Sequence, residues 1–153
     1  MNGFVADGPT ESGHINTDPF WPLIDLDAVR GTLRIDSSIT SMRLETAVIA
    51  AAINVNRELA EWRTGKQTEG YKELADVPAG QVNERSELIH LYLRAVYAAT
   101  GAEISERYRA YDSTNAGNQN ADQLTPSIDE YRRDQRWAIS DMQGKRRSTV
   151  ELI

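Results

Sequence analysis

The sequence contains no cysteine, and this absence excludes several kinds of chemistry. Without thiols the chain cannot form a disulfide, use a cysteine nucleophile or bind zinc through sulfur. Long apolar runs are also missing, since no stretch approaches the roughly 18 residues that a membrane-spanning helix needs. The N-terminal sequence MNGFVADGPTESGHINTD lacks a basic stretch followed by an apolar one, so we expect no signal peptide. These absences predict synthesis and folding in a cytoplasm, without membrane contact.

Positively charged residues are fewer than negatively charged ones. The 17 Lys and Arg residues are outnumbered by 23 Asp and Glu residues, which gives a net charge of −6. This balance argues against a protein whose main role is to grip nucleic acid, because neutralising phosphates takes clustered Lys and Arg. One cationic run, Lys145-Arg146-Arg147, is a weak candidate for contact with DNA or an acidic partner. The same run is also typical of a helix C-terminus, where cations are favoured by the helix dipole.

Motifs that carry catalysis are also missing from the sequence. Two Gly-Lys pairs, at residues 65–66 and 144–145, lack the Ser or Thr that a phosphate-binding loop requires. His14 and His90 have no neighbours in sequence that indicate a catalytic or metal role, and clustered carboxylates are expected to cap helices or face solvent. We therefore predict no catalytic, cofactor-binding or metal-binding residue, no cofactor, and a protein that is not an enzyme.

The length of 153 residues fits one domain, and the composition changes at both ends of it. Residues 1–19 are rich in Gly, Asn, Asp, Thr and Ser, which predicts a flexible N-terminal arm. Residues 20–144 carry the apolar periodicity of a helical domain. Residues 145–153 form a C-terminal tail that is expected to be extended, with a strand-like alternation.

Apolar residues at steps of three and four predict three main helices, at about residues 40–63, 83–110 and 125–144. The first helix is expected to start at Thr40 or Ser41 and to stop at Gly65, and the third to start at Thr125 or Ser127. A short helix capped by Asp25 comes before them. Amphipathic helices need a common core, so the prediction is an all-α fold, a small bundle of three main helices plus a short N-terminal one.

A glycine inside the second predicted helix, Gly101, is unusual because it costs about 1 kcal/mol relative to alanine. A tight helix crossing, a bend and simple tolerance would each account for it.

Two apolar segments near the ends of the chain are candidates for contact with a neighbouring subunit or another partner protein. The segment FWPLI, with Phe20 and Trp21, either packs on its own domain or anchors to a neighbour. Near the C-terminus, Val150 and Leu152 alternate with polar residues and precede Ile153. A short free strand of this kind can add to the edge of a partner's sheet. It can also fold back on its own domain.

Several short motifs occur in one order along the chain, with characteristic spacing between them. They are LADVPA from Leu74, ERYR from Glu106, SIDE from Ser127, RDQRWA from Arg133 and the ending with Lys145, Arg147, Val150 and Ile153. In these motifs the sequence resembles the head completion proteins of the gpL family of Peduovirus-like temperate myophages. The resemblance runs from about Phe20 to Ile153 and leaves out the N-terminal arm.

The resemblance implies a structural protein of the virion neck, the head-tail connector, that is assembled in the host cytoplasm. Its members bind the portal protein after DNA packaging, help to retain DNA in the filled head, and provide the surface that the tail or a tail-terminator protein joins. Neighbouring copies are expected to form a ring, commonly a homododecamer, through which DNA passes without specific binding.

Two other function classes remain open at the level of sequence. The cationic run at residues 145–147 favours a DNA-binding or packaging accessory protein. Clustered carboxylates are the single feature in favour of a small hydrolase or metal enzyme.

Overall fold

The structure, a computed structural model, describes residues 13–108 and 126–146. Within these ranges five α-helices are present: α1 (Leu26–Thr32), α2 (Ser41–Glu58), α3 (Ala60–Thr68), α4 (Glu87–Tyr108) and α5 (Ile128–Met142). A 3-10 turn (Leu74–Asp76) precedes α4. Two antiparallel two-stranded sheets complete the fold, pairing β1 (His14–Ile15) with β2 (Ile24–Asp25), and β3 (Gln81–Val82) with β4 (Arg85–Ser86). The fold is mostly helical, as predicted, but the two small sheets correct the expectation that it is all-α.

Helix α4 packs along both α2 and α5 and holds the fold together. Polar contacts give the order of the helices: Tyr92 on α4 bonds to Asn56 on α2, and Arg94 on α4 meets Asp134 on α5. Small side chains let the three helices approach closely, because an alanine keeps the neighbouring backbone near. The fully buried alanines of α4 are Ala95, Ala99 and Ala102.

Local capping signals set three helix starts where the sequence predicts them. The Asp25 carboxylate accepts the backbone N–H of Asp27 at 2.9 Å and begins α1. Thr40 caps α2, and Ser127 with Glu130 forms a reciprocal capping box at the start of α5. The choice between the two predicted starts of the third helix is therefore decided in favour of Ser127.

The first predicted helix is broken into two, which corrects its predicted end at Gly65. Leu59 leaves helical geometry between α2 and α3 with its side chain fully buried. Gly65 lies inside α3, and the chain turns instead at Gly70, whose φ is +103°. Because Leu59 stays in the core at the break, the apolar periodicity of the sequence continues from α2 into α3. The periodicity therefore does not indicate that the helix is interrupted.

The second predicted helix begins four residues later than expected, because the segment before it forms the β3–β4 hairpin. Asn83 and Glu84 have φ of +51° and +61°, the combination required by the two-residue turn that matches strand twist. Glu87 is the first helical residue. The predicted end of this helix at Ala110 lies outside the described residues.

The N-terminal arm was expected to include residues 13–19, but these residues pack on the domain. Strand β1 pairs with β2, and the Leu26 N–H donates to the Gly13 carbonyl at 3.0 Å. Asp18 forms an ion pair with Arg63 and accepts the Phe20 N–H at 2.7 Å. Backbone pairing and these charged contacts order a stretch that its polar composition alone does not distinguish from a free arm. Residues 1–12 lie outside the described part.

The apolar segment after this stretch packs on its own domain, the first of its two alternatives. The Trp21 ring stacks on Tyr92, with ring centroids 4.6 Å apart and planes at 6°. Phe20 meets Trp21 edge-on at 4.8 Å, and its carbonyl accepts the Leu74 N–H at 2.9 Å. Burial raises the pKa of Tyr92 to about 12, and its hydroxyl donates to the Asn56 side chain at 2.7 Å. The segment therefore joins α2, α4 and the 3-10 turn in one core.

Gly101 marks a tight helix crossing. A Cβ atom at this position would lie 2.6 Å from the ring of Tyr131, which is buried on α5. Gly65, in contrast, has nothing within 4 Å of such an atom. This pair of glycines separates the packing effect of an added methyl group from its effect on helix propensity.

We predict that Gly101→Ala lowers the free energy of unfolding by about 1–2 kcal/mol, because overpacking exceeds the gain in helix propensity. The control Gly65→Ala is expected to raise it by about 0.5–1 kcal/mol. Urea unfolding of both variants and the parent chain measures the difference. Equal stability of the two variants would contradict the tight crossing.

Candidate interaction surfaces

The two N-terminal contact candidates are not on the surface. Phe20 is 2% exposed and Trp21 is 4% exposed, and both belong to the main apolar core. A partner could reach these side chains only if they were withdrawn from the stack on Tyr92. Surfaces available for contact in the folded chain therefore lie elsewhere.

The C-terminal candidates are divided by the limit of the described residues. Arg147, Val150, Leu152 and Ile153 lie outside it. Lys145 is described and exposed, and its backbone N–H closes the end of α5 by donating to the Ser140 carbonyl at 2.9 Å. Gly144, with a φ of +68°, supplies the left-handed residue of this helix end, where the sequence predicts the stop.

Three exposed cationic residues lie in the second half of α5 and just beyond its end. Arg136, Lys145 and Arg146 are exposed, and within residues 13–108 and 126–146 none of them has a carboxylate at ion-pair distance. We call these three residues the cationic end. Arg132, one turn earlier, is instead held by Glu106 at 3.1 Å. The cationic end thus keeps its charge available to a partner, while the arginines earlier in the helix meet carboxylates.

A second surface is an apolar ridge on the outer side of α2. Met42, Ile49 and Ile53 are 79%, 41% and 51% exposed. They lie opposite the stripe that α2 buries against α4, so folding of this chain alone leaves them in water. Clustered exposed apolar side chains, unlike single ones, are typical of an interaction site. We call these three residues the α2 ridge.

A groove of about 420 Å³ runs between this ridge and strand β1. Its lining is mostly apolar on the helix side and mixed on the strand side. The residues that shape it are Ile15, Thr17, Glu45, Ile49, Ala52 and Ile53. We call it the β1–α2 groove. Sequence reasoning missed this groove because the stripe of buried residues on α2 was taken as its single apolar face; the recurrence of Ile49 and Ile53 at i, i+4 on the opposite face was the available signal.

The described residues offer no clear site for chemistry. Groups of three or more His, Asp or Glu side chains placed to hold a metal ion do not occur among residues 13–108 and 126–146. The His90 ring lies 2.7 Å from the Val82 carbonyl and ties the β3–β4 hairpin to α4. In the same ranges no helix is long and apolar enough to cross a membrane.

Comparisons with known proteins agree with the resemblance seen in the motifs. Residues 15–153 match the family described as phage head completion protein (GPL). The chain is also 39% identical over 134 residues to the head completion/stabilization protein of Escherichia phage P2, which covers 88% of this chain and 79% of that protein. No solved structure matches. The family match spans far more than half of the sequence, and the chain therefore belongs to the phage head completion protein (GPL) family.

Proposed function

We propose that this chain completes the filled phage head as a structural part of the virion neck. In this proposal it binds the portal protein after packaging, retains the DNA, and offers the surface that the tail or a tail-terminator protein joins. The observation that carries the proposal is family membership over residues 15–153, which include every described helix and nearly all of the described strands. The surfaces that remain exposed after folding, apolar on α2 and cationic beyond α5, support a binding role.

The charge of the chain fits a ring through which DNA passes. A dozen copies at −6 each would carry about −70, and such a ring repels rather than holds a polyanion. DNA could then leave at infection without being bound to specific residues. Retention in this proposal comes from closing the opening of the head, not from gripping the duplex.

Contacts in the ring or with the portal are expected to involve the C-terminal segment, with Val150, Leu152 and Ile153. Its alternation suits the edge of a partner's sheet, where backbone hydrogen bonds give affinity and side chains give specificity. Phe20 and Trp21 contribute indirectly, because they hold β1 and α2 in place from within the core.

Deleting the gene from its phage tests the proposed function. We expect DNA-filled heads that lack tails and lose their DNA, since the opening is left without its closing ring. Electron microscopy of the lysate and nuclease treatment measure both effects, and the intact gene supplied in trans should restore infectious particles. Stable tailed particles, or a block before any DNA is packaged, would contradict head completion.

A second candidate function is a DNA-binding or packaging accessory role, favoured by the cationic end. It predicts duplex binding at low salt that weakens by about 0.9 log units per log unit of salt for each phosphate contacted. The variant with Arg136→Gln, Lys145→Gln and Arg146→Gln should then show a shallower salt dependence than the parent. Fluorescence anisotropy with a labelled duplex measures it, and absence of binding at low salt removes this candidate.

A further inference from the structure

We draw no further inference here: the strongest candidate, the β1–α2 groove with the exposed Ile49 and Ile53 of the α2 ridge along one wall, carries nothing because no contact among the described residues shows what covers it.

Discussion

The stack of Trp21 on Tyr92 is the interaction on which the rest of the structure depends. It ties the segment after β1 to the centre of α4, and the Tyr92 hydroxyl continues the connection to Asn56 on α2. Parallel aromatic rings at this separation contribute about 0.5–1.5 kcal/mol beyond the area they bury. Because one aromatic pair joins the N-terminal segment to two helices, the position of β1 relative to α2 is fixed by the core.

This arrangement explains how one helix can have two apolar faces with different roles. The face of α2 that carries Leu44, Val48 and Val55 is buried in the core. With β1 held beside it, the other face becomes one wall of a groove, and its apolar residues are left for a partner. Helix α4 shows the opposite case. It is surrounded by α2, α5 and the N-terminal segment, so it buries small residues on several sides and approaches α5 closely enough for a tyrosine ring to lie on Gly101.

Features encoded by neighbouring residues could be predicted from the sequence. The caps at Asp25, Thr40 and Ser127 and the helix end at Gly144 follow from side chains that bond to nearby backbone or tolerate a left-handed φ, and the structure confirms them. Features that depend on distant contacts could not be predicted. The break at Leu59 keeps apolar periodicity intact, and the turn at residues 83–84 lacks the glycine that usually indicates a hairpin.

The candidate interaction surfaces also differ in how far the sequence alone could predict them. The exposure of Phe20 and Trp21 could not be predicted from composition, because an aromatic segment near a chain end has the same composition whether it packs on its own domain or faces a partner. Its position is decided by the stack of Trp21 on Tyr92, which is distant in sequence. The α2 ridge becomes recognisable only when the opposite face is known to be buried. The cationic run was visible in the sequence, but the structure was needed to show that Lys145 and Arg146 have no carboxylate at ion-pair distance among the described residues.

In the proposed role the chain works as a neck component through surfaces that its own folding leaves exposed. Cryo-electron microscopy of the neck in intact virions tests this most directly. We predict a ring of this chain next to the portal, with the α2 ridge covered by protein and Trp21 still stacked on Tyr92. A neck without this chain, or a ring in which Ile49 and Ile53 face solvent, would contradict it.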